Sequence, residues 1–442
     1  MLLNPLRLFG SFQSAQHGNV AAIFAITLVP LIAAMGCAVD YTRAAHIRSK
    51  LQAAADSASV GAVTRTSQAF VAAGSMAKDG PIAVGNTDAR NIFDGNMVSQ
   101  GGYTLNSFSA NVRKLSNKVL STVEFSADVP TTFTSIIGWR KMKVTGTSNS
   151  TASMPVYIDF HLLLDNSPSM GVGATTADVD KMVKNTSDKC AFACHDTADN
   201  NNYYKLAKKL GITTRIDRVR EATEQLMTSA KKNSIYTEQY RMALYDFGAS
   251  AKTAGLRTLF SLSPNLDIAK DEAGKIDLMS VNGQNENNDQ DTQYSTVLPA
   301  LEKLITDPGA GTAAAPQKFV FFVSDGVADE YNSAKCKKPT TNGRCQSPID
   351  PSLCEKFKSR GITVAVLYTT YLALPTNDWY NQWIKPFNAG PYGPSPNSEI
   401  AANMKACASS PDFYFEVSMA GDITKALMNF FEKAVADARI AS

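Results

Sequence analysis

Histidine is scarce in this sequence, with four among 442 residues. That leaves little material for histidine-based acid–base or nucleophilic catalysis. A His-Glu-x-x-His helix motif is absent, and so is a Gly-Lys-Thr phosphate loop, which removes the commonest metalloprotease and nucleotide-hydrolase signatures. Charge of one sign is also lacking: 43 basic against 40 acidic side chains leave a net charge of +3. A nucleic-acid binder would carry a clustered basic face, so nucleic acid is not an expected partner. The composition is otherwise that of a globular protein, 44% hydrophobic and 19% charged, and the length predicts two or more domains.

One charge-free run stands out, "VAAIFAITLVPLIAAMGCAV" at residues 20–39. A membrane-spanning helix needs about 20 apolar residues, and membrane helices tolerate a proline such as Pro30. The rival readings are a cleaved signal, whose apolar core is shorter, and a lipoprotein signal ending at Cys37, which wants a leucine-like residue where Ala34 stands. The breaker-free, alanine-rich stretch from Asp40 to Val60 predicts that the helix continues beyond the span. Residues 1–19 would then be a cytoplasmic N-terminus, 20–39 a transmembrane helix and 40–66 a helical stalk. Orientation signals conflict. Arg7 precedes the span while Arg43, Arg48 and Lys50 follow it, which favours a cytoplasmic C-terminal side. The cysteines point the other way, and six of them outweigh a small charge difference, so residues from about Asp40 onward are expected outside the cytoplasm.

Of seven cysteines, Cys190, Cys194, Cys336, Cys345, Cys354 and Cys407 all lie in the C-terminal part, several among loop-forming Lys, Pro, Asn and Gly. An even set in one region reads as a disulfide framework in an oxidising compartment. Six cysteines allow 15 pairings. Proximity suggests Cys190–Cys194, Cys336–Cys345 and Cys354–Cys407. "CAFACH" misses the c-type haem spacing by one residue and is read as a local disulfide.

Residues 67–154 alternate apolar and polar positions in three runs, "YTLNSFSANV", "KVLSTVEFSADV" and "RKMKVTGTSNSTA". They predict a small β-rich domain of antiparallel strands. From residue 155 onward near-continuous apolar strands alternate with amphipathic helices. They include "VYIDFHLLLD", "YRMALYDFG", "QKFVFFVSDG" and "GITVAVLYT", with "LRTLFSLS" as an antiparallel edge. That rhythm predicts an α/β fold, a mostly parallel sheet with helices on both faces, over 155–442.

In such sheets function gathers at the carboxyl ends of the strands. There the first strand ends in Asp165-x-Ser167-x-Ser169, a later one ends in Asp325, and a middle loop offers Thr292, with Thr296 as the alternative. Taken alone, Asp-x-Ser-x-Ser is a polar turn that caps a helix. Together these residues resemble the von Willebrand factor A domain and its metal-ion-dependent adhesion site. The resemblance implies a Rossmann-like sheet and a Mg2+ or Mn2+ ion held by Asp165, Ser167, Ser169, Thr292 and Asp325. Neutral hydroxyls among hard oxygen ligands would leave the ion open to an acidic group of a partner. No general base or nucleophile–histidine pair accompanies them, so the site reads as adhesive and not enzymatic.

The N-terminal "GNVAAIFAITLVPLIAAMGCAVDYTRA", with Gly18-Asn19-Val20 opening the apolar helix and Asp40 following it, resembles TadG-like proteins of the tight-adherence (Flp) pilus assembly system. So does a C-terminal domain bearing "LDNSPSM" and a cysteine pair after it. The resemblance implies a single-pass inner-membrane component of a Gram-negative bacterium, its C-terminal domain periplasmic, working with other pilus assembly proteins or minor pilins. A secreted or surface adhesin with a cleaved signal, or an accessory subunit of an enzyme complex, are the alternatives.

Overall fold

The computed structural model describes residues 18–76, 78–98, 100–192, 195–196, 199–281, 291–331, 336, 344–371, 373–389, 398–417 and 422–441. The chain divides into two compact units, one up to Met154 and one from Pro155.

The first unit begins with helix α1 (Gly18–Gly61), 44 residues carrying Pro30 without interruption. Its first half is charge-free and its large apolar side chains are exposed, among them Val20, Phe24, Ile26, Val29 and Met35. The helix is long and apolar enough to cross a membrane. Its second half changes character. Asp40, Ala44, Ile47, Leu51, Ala54 or Ala55, and Ala58 recur every three or four positions and are buried, so one stripe faces the domain. Small side chains let the helix run close to a sheet. Where it crosses Gly146, an added Cβ would lie 2.2 Å from Gln52 Oε1.

Helix α2 (Gln68–Ser75), short strand β1 (Gly80–Pro81) and helix α3 (Ala83–Met97) follow. Then come β2 (Thr104–Leu115), β3 (Lys118–Pro130) and β4 (Lys141–Ser153), forming an antiparallel sheet in the order β1-β2-β3-β4. Strand β3 alternates strictly and buries Val119, Val123, Phe125, Ala127 and Val129. The three long strands occupy the runs that alternation predicts. The two extra helices are a difference from that reading: α3 is almost without net hydrophobicity, and only Gly85, Ala89, Phe93 and Met97 give it an inward face.

The second unit is built on β5 (Ile158–Leu164), every residue of which is buried. Helices α4 (Thr176–Asn185), α5 (Tyr203–Lys209) and α6 (Arg215–Asn233) precede β6 (Tyr240–Asp246) and β7 (Arg257–Ser263). Helices α7 (Leu266–Ala273) and α8 (Tyr294–Leu304) lead to β8 (Gln317–Ser324) and the small hairpin β9 (Val327–Glu330) and β10 (Cys345–Pro348). Helix α9 (Ser352–Ser359), β11 (Thr363–Thr369), α10 (Lys385–Ala389), α11 (Glu399–Cys407), β12 (Tyr414–Val417) and α12 (Asp422–Ala441) complete it.

Six strands form one sheet in the order β12-β11-β8-β5-β6-β7. All neighbours are parallel except β7, which pairs antiparallel with β6 at the edge. Residues Ile158, Phe160, Leu162 and Leu164 of β5 join one core with α6, α7 and α12. Leu163 joins another with α8, α9 and α11. Both faces are therefore covered, as the continuous apolar strands require. Strand order runs one way from β5 through β6 and the other way from β8 through β11, so the topological switch lies between β5 and β8.

Two of the expected disulfides are present, Cys336–Cys345 and Cys354–Cys407, the second joining α9 to α11. Cys190 carries a free, buried thiol whose Sγ accepts from the Phe192 N–H at 3.4 Å. Its expected partner Cys194 lies outside the described residues.

Candidate metal site

Strands β5 and β8 are parallel neighbours in register from Ile158–Gln317 to Leu164–Val323, so their carboxyl ends open together at the switch point. The Asp165 N–H still donates to the Val323 carbonyl at 2.9 Å, which sets Asp165 beside Ser324 and Asp325. Asp165 and Asp325 are both fully buried.

Asp165 is held through both oxygens. One accepts from the Ser167 N–H at 2.9 Å, and the other accepts from Ser324 Oγ at 2.5 Å. A 3-10 turn from Pro168 to Gly171 then curls back, bringing Ser167 Oγ and Ser169 Oγ to 2.9 Å of each other. Ser169 lies near enough to Asp325 to pull its carboxyl down. Asp165, Ser167, Ser169 and Asp325 thus converge at one place. Asn166 pins the loop from beneath: it donates to the Gly248 carbonyl at 2.9 Å and accepts from the Phe247 N–H at 3.1 Å.

Thr292 is buried and joined to Asp329 of β9 by two backbone hydrogen bonds, 3.2 and 3.0 Å. It is thereby tied to the hairpin that follows directly on Asp325. Thr296, the alternative, lies exposed on α8. Further residues absent from the sequence reading complete the surroundings. Ser324 shares a 2.6 Å hydrogen bond with Tyr294, so a buried chain Tyr294–Ser324–Asp165 braces the floor. Arg215, buried at the first turn of α6, donates to the Thr370 carbonyl and places its charge near Asp325. None of these stands out in the sequence, because a serine ahead of an aspartate, a tyrosine and an arginine at helix starts are commonplace.

Burial and the neighbouring Asp165 push the Asp325 carboxyl up to about 7, against the pull of Ser169 and Arg215. Asp165 is likewise raised, first by burial. One oxygen of Asp325, Oδ2, is buried without a hydrogen-bond partner. Two buried carboxylates repelling each other, with an unpartnered oxygen and two hydroxyls, form a donor set that fits a hard divalent cation. The donors are all oxygens, with no imidazole or thiolate. Among the described residues no group of three or more His, Cys, Asp or Glu side chains is placed to hold a metal, so an ion here depends on the hydroxyls. A third strand-end carboxylate, Asp246, is already engaged by Arg257 at 2.9 Å and through a second, shorter contact.

Residues 18–73 match the family described as Flp pilus-assembly TadE/G-like. No curated protein matches the chain. Among solved structures, the von Willebrand factor domain of the type V pili tip protein Mfa5 from Porphyromonas gingivalis is 10% identical. It has a TM-score of 0.37 and the match covers 64% of this chain and 97% of that one. The pilus adhesin SpaC from Lactobacillus rhamnosus GG is 13% identical with a TM-score of 0.39, covering 76% of this chain and 34% of SpaC. Proximal thread matrix protein 1 from the mussel byssus, solved with a zinc-occupied metal-ion-dependent adhesion motif, is 12% identical. Its TM-score is 0.33, with coverage of 64% and 48%.

Proposed function

We propose that this pilus-assembly-related chain, a TadE/G-like N-terminal segment ahead of a von Willebrand A-like α/β unit, is a single-pass membrane protein that displays a metal-dependent protein-binding site. Helix α1 is the anchor. The second unit works outside the cytoplasm, in the periplasm, where its two disulfides are stable. Its partners are other pilus assembly proteins or minor pilins, and its role is assembly or adhesion without catalysis.

The observation that carries the reading is the buried pair Asp165 and Asp325 at the switch point, with the Asp325 Oδ2 atom unpartnered. Asp165, Ser167, Ser169, Thr292 and Asp325 would hold one Mg2+ or Mn2+, hard ions suited to an all-oxygen donor set. When bound, the ion supplies a positive point charge able to accept a carboxylate from a partner. The chain's own residues do the rest. Ser324 and Tyr294 keep Asp165 oriented, Asn166 fixes the serine turn, and the surrounding cores exclude water. The test is an interaction assay between the full chain in detergent and pilus-assembly proteins or minor pilins from the same bacterium. Binding should need the divalent ion and be lost in Asp165→Ala; binding indifferent to chelator would refute the reading.

A further inference from the structure

The hairpin between β3 and β4 ends in a tip, residues 131–140, that carries four large exposed apolar side chains. Phe133 is 43% exposed, Ile136 83%, Ile137 62% and Trp139 68%. Surface apolar residues scattered singly need no explanation, but a contiguous group does. The tip is not loose. The Asp40 carboxylate accepts from the N–H groups of Thr132, Phe133 and Thr134 at 2.9, 2.9 and 2.7 Å, and from Thr134 Oγ1 at 3.0 Å. A 3-10 turn from Thr134 to Ile137 closes on Gly138, whose φ of +96° favours glycine.

Asp40 is the first charged residue after the run 20–39, and one helical turn before it stands Gly36. A Cβ on Gly36 would lie 2.5 Å from the Phe133 Cβ, so the tip rests on the helix there because the side chain is missing. Gly36 and Asp40 are buried while Val39 and Tyr41 are exposed. The tip is thus clamped to α1 at the level where the apolar run ends, and its exposed side chains continue the exposed apolar surface of that run.

We propose that the β3–β4 tip enters the interface of the lipid bilayer beside α1, with Ile136, Ile137 and Phe133 among the acyl chains and Trp139 at headgroup level. This rests on the reading of residues 20–39 as a membrane span. Lipid is the occupant that continuity with the span requires, and the side chains suit it. Trp and Tyr favour the membrane interface, and Tyr41, 69% exposed, sits on the helix at the same level. Exposed Arg43, Arg140, Lys141 and Lys143 flank the tip and the helix exit, suited to anionic headgroups. The Asp40 bonds make the contact rigid, so the tip fixes how the first unit stands on the membrane.

The test uses the full chain in nanodiscs of phosphatidylethanolamine and phosphatidylglycerol, with or without dibrominated lipid. The protein has three tryptophans, the others being Trp379 and Trp383 of the second unit. Brominated lipid should quench part of the wild-type emission and none of it in Trp139→Phe. Ile137→Asp, a change at an exposed position, should abolish that quenching while leaving the circular dichroism spectrum unchanged. A carbonate-resistant protein whose Trp139 is open to acrylamide overturns the proposal and leaves the span standing. Trp139 shielded from both quenchers means that protein covers the tip, which also overturns it. Extraction by carbonate overturns the span and the proposal together.

Discussion

Replacing Asp325 by asparagine should stabilise the metal-free protein at alkaline pH and abolish its response to divalent ions. In the folded chain the carboxyl titrates at about 7, raised from 3.8 by burial and by Asp165. The folded state therefore holds a proton that the unfolded state has released, throughout the range between those values. Stability falls as pH rises across that window and levels off above it. At about 1.4 kcal/mol per pKa unit the rise corresponds to about 4 kcal/mol, shared between two carboxylates that influence each other. The amide introduced by Asp325→Asn has no charge to desolvate, so the variant should exceed the wild type by about 2–4 kcal/mol at pH 8 and differ little at pH 4.

The assay is denaturant unfolding of the detergent-solubilised full chain in EDTA from pH 4 to 8. Trp379 and Trp383 report on the second unit in a Trp139→Phe background. The quantity to follow is the difference between wild type and Asp325→Asn. Buried His161, pushed down to about 4 by burial, contributes the opposite slope, and the difference removes it. Adding Mg2+ or Mn2+ at pH 8 should raise the wild type and not the variant. A difference that stays flat across the pH range would refute the argument that the two carboxylates are held in mutual repulsion.

Three further outcomes follow from the same structure. Asp159 accepts from Arg241 at 2.6 and 2.7 Å and from buried Lys318 at the far end of β5. Asp159→Ala leaves the Lys318 ammonium buried without a carboxylate, so urea unfolding should show a loss of about 3–5 kcal/mol. Replacing Cys354 and Cys407 by serine opens a cross-link spanning 53 residues and should cost about 4 kcal/mol, against about 2.5 kcal/mol for Cys336 and Cys345 with a separation of 9. Equal losses in calorimetry would contradict that ordering. The full chain should resist alkaline extraction from membranes, and protease added to intact spheroplasts should digest the second unit; a protected second unit would place it in the cytoplasm.

The sheet of the second unit was legible because its central strands are near-continuously apolar and each is followed by a polar turn. Even the antiparallel edge β7 was visible, since Arg257–Ser263 is only half-buried and directly follows a turn. The helices α4, α5 and α7 were not legible, because they are short and hold few apolar positions. At the site, Asp165, Ser167, Ser169 and Asp325 could be read from their place at strand ends. Ser324, Tyr294, Asn166 and Arg215 could not: their roles depend on partners 30 to 159 positions away, and no local spacing marks them. The clamp between Asp40 and the β3–β4 tip escaped for the same reason, with partners more than 90 positions apart.

The proposed divalent-cation site lies at the carboxyl ends of β5 and β8. Its decisive measurement is calorimetric titration of the full chain with Mg2+ and with Mn2+ at pH 8. One ion per chain should bind, and binding should be lost in Asp165→Ala and Asp325→Asn while the fold persists. No binding by the unmodified chain at millimolar metal, or equal binding by Asp165→Ala, would contradict it and reduce "DNSPSM" to a polar turn.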